Sequence, residues 1–243
     1  DPRLVGRLRG SILLLGPLLA RRGRADLAQP GGDFPARRTT AVHLGALAAF
    51  GARSTGGDGH TLEVESGLRP ASLYLEEASV TGTETAMLAA AAAPGTTEIR
   101  HAACEPHVVE LARFLRRMGA GVVGEGSPTI RIEGVRRLSG AAHAIEGDYI
   151  EAGTWAVVAA VTGGDIDIRG AEPAHLEVIT SVLRRFNVAC APAGDALRVS
   201  ASALRGGGRV TTGLWPGFPS DLVSLVTVLA TQAEGDTLLH DWM

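Results

Sequence analysis

Residues 83–100 read TETAMLAAAAAPGTTEIR, an alanine-rich apolar run that passes through a glycine turn at Gly95 into a short strand. The same order recurs three times: SILLLGPLLARRGRADLA from Ser11, GTWAVVAAVTGGDIDIR from Gly153 and DLVSLVTVLATQAEGDTLLH from Asp221. The turn glycines Gly23, Gly95, Gly164 and Gly235 lie 72, 69 and 71 residues apart. In three copies a second, amphipathic helix follows: TTAVHLGALAAFGA from Thr39, EPHVVELARFLRRMGA from Glu105 and EPAHLEVITSVLRRFNV from Glu172. These end at Gly51, Gly119 and Asn187, each 68 residues after the last. Glycine or asparagine is what a helix end needs where the chain turns left-handed. Glu-Pro at two of the starts puts proline in the first turn, where its missing N–H costs nothing. Alternating strands such as SPTIRIEGV and DALRVSAS come next.

The unit is therefore helix–strand–helix–strand–strand of about 70 residues, present three times with the start of a fourth. That period is too long for a common solenoid and predicts a pseudo-symmetric α/β fold. The first helix of each unit is apolar nearly all round, which predicts burial.

Composition narrows the function. Of 243 residues, 32 are glycine and only 4% aromatic, so small side chains dominate. Net charge is -3, with 23 basic and 26 acidic residues, and every basic residue is arginine. Such a balance leaves no basic footprint for nucleic acid. Cys104 and Cys190 have no partner spacing, which excludes a disulfide scaffold and suits a reducing cytoplasm. The seven histidines are scattered, without HExxH, so neither a metal nor another cofactor is expected. Arg3, Arg7 and Arg9 before Ser11–Ala20 imitate a secretory signal. The run ends in Arg21-Arg22 and is too short to span a bilayer, so it reads as a core helix.

Three loops hold the candidate chemistry. Gln29–Arg38 (QPGGDFPARR) places Asp33 and two arginines beside a glycine pair, although PGGD is also an ordinary turn. Ala78–Glu84 (ASVTGTE) opens a buried helix with small hydroxyl residues and free amides, as an anion site would. A capping box of Thr81 with Glu84 explains the same residues. Trp215–Asp221 (WPGFPSD) sets an acid after two prolines, with Ser220 or Asp221 as an N-cap the plainer alternative.

Taken together, RGSILLLGPLLARRG, PGGDFPARR, SVTGTETAMLAA, EPHVVELARFLRRMGA, IEGV, DYIEAGTWAVVAA, PAHLEVI and PGFPSDL resemble the UDP-N-acetylglucosamine enolpyruvyl transferases (1-carboxyvinyltransferases) of peptidoglycan synthesis. The resemblance runs over essentially the whole chain. It implies two inside-out α/β barrel domains built from six β-α-β-α-β-β units. Residues 1–147 would form most of the first and 148–243 an incomplete second. The family's N-terminal Lys-Asn segment and its C-terminal arginines have no match here, so the resemblance implies a truncated and, alone, inactive chain.

The implied reaction moves the enolpyruvyl group of phosphoenolpyruvate onto the 3-hydroxyl of UDP-N-acetylglucosamine, releasing phosphate. It serves cell wall biogenesis, and through it cell shape and division, in the cytoplasm, with a monomer and no membrane or nucleic acid as partner. By matching motif positions, Asp33 falls where most members carry a reactive cysteine and serves as the acid, and Asp221 matches the base. Arg9 and Arg38 match phosphate-holding arginines. Ser79, Val80 and Thr81 match contacts to the uridine diphosphate. His43, Glu105 and Asp148 fall at further cleft positions, although His43 taken alone reads more readily as a core histidine. Three departures (Ala41, Glu77 and Tyr149, where members carry an acid, a lysine and an arginine) leave a paralogue acting on another nucleotide, such as UMP, as the alternative. A non-catalytic binding protein that keeps the fold is the third reading.

Asp33 carries a direct prediction. Fosfomycin alkylates the family's cysteine thiolate, and a carboxylate is a far poorer nucleophile toward an epoxide. The protein is expected to resist fosfomycin and Asp33→Cys to confer sensitivity. A covalent adduct on the unmutated protein in a mass spectrum overturns this.

Overall fold

A computed structural model of the chain describes residues 1–31, 39–56, 60–200 and 202–242. The backbone divides into two compact units, Asp1–His143 and Ala144–Met243.

Unit 1 opens with α1 (Pro2–Val5) and a 3₁₀ segment, Arg9–Leu14, that runs into α2 (Leu15–Arg22). Then follow β1 (Arg24–Leu27), α3 (Ala41–Ala49), β2 (Arg53–Ser54) and β3 (His60–Glu63). The next copy is β4 (Ser72–Tyr74), α4 (Val80–Ala91), β5 (Gly95–Arg100), α5 (Pro106–Arg117), β6 (Gly121–Val123) and β7 (Thr129–Gly134). In it β4 and β5 are parallel across α4, while β7 lies antiparallel to both β5 and β6. This is one whole β-α-β-α-β-β unit. The copy before it repeats the core of the pattern, with sheet order β1-β3-β2 against β5-β7-β6.

Unit 2 repeats the order. It runs α6 (Tyr149–Thr162), β8 (Asp165–Arg169), a 3₁₀ turn Pro173–Leu176, α7 (Glu177–Arg185), β9 (Ala189–Ala193) and β10 (Ala196–Ser200). Its sheet order is β8-β10-β9. Then β11 (Gly208–Thr211) and β12 (Thr237–His240) pair in parallel across a 3₁₀ turn, Ser220–Leu222, and α8 (Val223–Thr231). That pair reproduces the β4–α4–β5 relation.

The helix ends obey the expected chemistry with two shifts. Gly23, Gly51, Gly119 and Gly235 adopt positive φ, as does Asn187 at 65°, whose side-chain amide donates to the Ala203 carbonyl at 2.8 Å. After α6 the left-handed residue is Gly163, not the expected Gly164, because α6 stops one residue earlier. The Ser11 helix also opens as 3₁₀ and becomes α-helical only at Leu15.

Burial separates the repeats. In α4, Ala86, Met87, Ala89, Ala90 and Ala91 have no exposed surface, since α2, α3 and α5 all pack on it. In α6 the expected all-round burial does not hold: Trp155 is 53% exposed. Its packing partners are α8, the two 3₁₀ turns and strands β8 and β10, which leave one face open.

Small residues at the helix crossings allow this approach. A Cβ placed on Gly82 would lie 2.9 and 3.1 Å from the two methyls of Val42, so the first turn of α4 sits directly on α3. Gly82→Ala is expected to destabilise the protein by about 1–3 kcal/mol through that overlap. Adding Val42→Ala should recover part of the loss in chemical denaturation, and no recovery would assign the cost elsewhere.

Candidate functional site

The site candidates among the described residues share one architectural position, the N-terminal ends of helical segments. Arg9 begins the first 3₁₀ segment and His43 is the third residue of α3. Ser79 caps α4, with Val80 and Thr81 in its first turn. Glu105 and Asp148 stand at the N-cap positions of α5 and α6, and Asp221 lies in the Ser220–Leu222 turn. Helix N-termini present unpaired N–H groups and positive potential, which suits phosphates and carboxylates.

Within unit 1 these ends meet. The capping box expected of Thr81 and Glu84 is not formed: the Ser79 hydroxyl caps α4, accepting the Gly82 N–H at 3.2 Å. Ser79 already provides the cap oxygen two residues earlier, which frees Thr81 to face α3. Its hydroxyl lies 2.9 Å from His43 Nε2. The neighbouring Thr83 hydroxyl donates to the Ser79 carbonyl at 2.8 Å and accepts the Ala103 N–H at 2.9 Å. That buried link ties the mouth of α4 to the loop that carries Glu105.

His43 has the double character its position suggested. It is 2% exposed, as a core histidine would be, yet its Nδ1 is buried without a hydrogen-bond partner. Burial lowers its pKa to about 4, with Arg9 and His60 pressing the same way and the Thr40 carbonyl opposing. At neutral pH the ring is uncharged, and half-buried Arg9 supplies the cation.

On the other side, Glu105 makes no capping hydrogen bond, and its Oε2 is buried without a partner. Glu84 is the only charged residue of α4. Burial raises its pKa to about 7, and the charge of Glu105 adds to the shift. A protonated carboxyl can donate a hydrogen bond where an ionised one only accepts. The sequence reading passed over Glu84 as a function-bearing residue, although a lone acid on an otherwise buried helix was the signal available.

Unit 2 holds Asp148 and Asp221, and the structure gives them different surroundings. The Asp148 carboxylate accepts the Ile150 N–H at 2.8 Å, so it caps α6. It also lines a cleft of about 380 Å³ with Glu151, Trp155, Asp167 and Arg169. Asp221 is exposed and outside that lining. Neither Ser220 nor Asp221 caps the following turn, whose N-cap is Pro219 without any side-chain bond. The Trp215–Pro216 peptide bond is cis, and the Trp215 ring meets Tyr149 edge-on at 5.1 Å. Asp33 and Arg38 lie outside the described residues.

Among the described residues, no three His, Cys, Asp or Glu side chains gather to hold a metal ion. Nor is any helix among them long and apolar enough to cross a membrane. Both cysteines are free thiols, and burial raises the pKa of each.

The described candidates thus set one cation, hydroxyls and carboxylates at the starts of helical segments in an α/β repeat. The chain belongs to the EPSP synthase (3-phosphoshikimate 1-carboxyvinyltransferase) family, whose profile matches residues 1–240. It is 41% identical over 248 residues to the UDP-N-acetylglucosamine 1-carboxyvinyltransferase of Treponema denticola, covering 99% of this chain and 58% of that protein. Identity to the enzyme of the same name from Solibacter usitatus is 42% over 234 residues, 96% of this chain and 56% of that protein. The chain thus spans less than two thirds of the length of these curated relatives. Its fold matches the enolpyruvyl transferase NikO from Streptomyces tendae with a TM-score of 0.83 at 24% identity, over 99% of this chain and 58% of that one. For EPSP synthase from Acinetobacter baumannii the TM-score is 0.66 at 22% identity, over 95% and 54%. The α/β fold expected from the repeats, and the enolpyruvyl transferase fold implied by the resemblance, are the fold observed.

Glu84 gives a test with a definite sign. Its folded pKa is above the ordinary 4.5, so the neutral carboxyl contributes stability that is present below that value. The contribution is lost as the pH rises through about 7. Glu84→Gln is expected to flatten the dependence of the denaturation midpoint on pH across this window. An unchanged slope would move the titration to another group.

Proposed function

We propose that the protein transfers the enolpyruvyl group of phosphoenolpyruvate to the 3-hydroxyl of UDP-N-acetylglucosamine with release of phosphate, the first committed step of peptidoglycan synthesis. On this reading residues 1–147 are most of the first domain of the enzyme and residues 148–243 part of the second. The protein works as a cytoplasmic monomer without a cofactor.

The observation that carries the reading is the His43–Thr81 bond at 2.9 Å, with the charge of Arg9 bearing on the same ring, which joins substrate-binding candidates from separate elements of unit 1. The names of the relatives, at about 40% identity across almost the whole chain, support the acceptor.

The chemistry assigns each residue a task. Arg9 and Arg38 hold phosphate and carboxylate oxygens, for which the guanidinium fork is suited. Ser79, Val80, Thr81 and His43 receive the uridine diphosphate at the mouth of α4, and Glu105 and Asp148 make further substrate contacts. Asp221 takes the proton of the sugar hydroxyl as its oxygen attacks the central carbon of phosphoenolpyruvate. Asp33 protonates the vinyl carbon, giving a tetrahedral ketal. Loss of a proton from the new methyl group, with departure of phosphate, then restores the enol ether. Asp33 can serve as acid only if its carboxyl is held protonated, which a closed and dry loop achieves.

Full-length protein is expected to release phosphate from phosphoenolpyruvate only when UDP-N-acetylglucosamine is present, between about pH 6 and 9. Asp221→Asn should lower kcat by about 10²- to 10⁴-fold, the usual contribution of a positioned base. Release that needs UMP instead would transfer the chemistry to the other acceptor, and no release with any nucleotide would refute transfer itself.

A further inference from the structure

Trp215 stands six residues before Asp221 in the segment that links β11 to α8. Transfer as described gives Asp221 a task and Trp215 none. The backbone of this segment closes on itself. Gly213 donates to the Phe218 carbonyl at 3.0 Å, and Gly217 donates to the Leu214 carbonyl at 2.6 Å. A Cβ on Gly217 would lie 2.8 Å from the Leu214 carbonyl oxygen and 2.9 Å from the Gly213 backbone, so no side chain fits inside the turn. Leu222 then donates to the Pro219 carbonyl at 3.2 Å, closing the short turn that holds Asp221. Compact loops packed by their own atoms behave as units. The place of Asp221 therefore depends on what the loop rests against.

It rests against one face of α6. Tyr149 and Gly153 are four residues apart on that helix and share a face. The Tyr149 ring meets Trp215 edge-on, with centroids 5.1 Å apart and planes at 61°. One turn further along, a Cβ on Gly153 would lie 3.0 Å from a terminal methyl of Leu222, so the bare glycine makes room for that side chain. Trp215 and Leu222 lie on either side of Asp221 in the chain, and α6 receives both. A second element also meets the indole: His175, in the 3₁₀ turn Pro173–Leu176, stands edge-on to it at 6.1 Å and 79°. His175 Nδ1 is in turn 4.0 Å from Glu146 Oε2. Edge-to-face ring contacts favour an angle as well as a distance, so they orient the indole rather than merely cover it. Tyr149 and Leu222 are buried while Asp221 is exposed. A buried support that carries an exposed acid is how packing fixes a reacting side chain.

We infer that Tyr149 and His175 are positioning residues for Asp221: they hold the Trp215 indole, and through it the loop that presents the carboxylate. The inference rests on the reading of Asp221 as the base that takes the sugar hydroxyl proton, and adds the residues that set where it stands. It also accounts for Tyr149, one of the three positions at which this chain departs from the pattern its sequence resembles. The ring is buried against the loop, so that departure concerns the seat of the base.

The test uses full-length protein and two readouts. The first is hydrogen exchange at the Gly213, Gly217 and Leu222 amides, followed without substrate by mass spectrometry of the peptides that contain them. Tyr149→Leu should speed this exchange about two- to tenfold, the scale of one aromatic pair, while the amides of β10 keep their native rates. His175→Leu should act in the same direction. Tyr149→Phe keeps the ring and should restore most of the protection, which guards against a folding defect in the leucine variant. The second readout is steady-state transfer. Tyr149→Leu should lower kcat about two- to tenfold with little change in either KM, because a misplaced base weakens the transition state alone. In an Asp221→Asn background the same change should leave kcat where it is, since the group to be positioned is gone. Unchanged loop exchange in Tyr149→Leu overturns the inference, as does native kcat or a kcat loss that multiplies with that of Asp221→Asn. Exchange that responds as expected in a protein that transfers nothing to any nucleotide would refute the proposed reaction and leave Tyr149 as the support of the loop.

Discussion

A helix without a wet face governs this structure. Helix α4 is enclosed by α2, α3 and α5, and its alanines have no exposed surface. Such a helix gains nothing from amphipathicity and is stable only when neighbours cover it on every side. Its small side chains set how near those neighbours come, because each added methylene would meet packed atoms rather than water. The consequence reaches the chemistry: helices held this close bring their ends together, and at the mouth of α4 lie Thr81, His43 and, through Thr83 and Ala103, the loop of Glu105. The site is a by-product of packing small residues tightly.

Much of this was legible in the sequence because repetition is a strong signal. The left-handed helix ends at Gly51, Gly119 and Asn187 stand at equal spacing, and all three adopt positive φ in the structure. Asparagine can replace glycine there because its short polar side chain tolerates that backbone, and its amide finds the Ala203 carbonyl. Where the reading slipped, it slipped by a residue or a role. Gly163 and Gly164 are both candidates for one turn, and local sequence does not say which of them the last helical hydrogen bond will select. Ser79 and Thr81 both suit a cap, and the choice was made by the contact with His43, a residue 38 positions away. A tertiary contact of that kind leaves no trace in spacing.

The site was only partly legible for a related reason. Residues in named motifs, such as Arg9, His43 and Thr81, announce themselves through the resemblance. Glu84 becomes chemically distinctive through burial and through the nearby Glu105 charge, properties that belong to the folded chain alone. Asp148 illustrates the converse: a motif position fills a backbone role, capping α6, while also edging a cleft.

The alanine shell of α4 also bears on how such a protein can diversify. Substitutions inside the shell meet rigid backbone and packed methyls, so that part of the sequence has few acceptable alternatives. Ala41 and Glu77, beside the mouths of α3 and α4, are exposed and can change without disturbing what encloses α4. Ala41, Glu77 and Tyr149, the positions where this chain departs from the expected pattern, all lie in loops or first turns at that rim or its counterpart in unit 2. Substitution in this architecture is therefore easiest at a few exposed helix entrances and hardest inside the alanine shell.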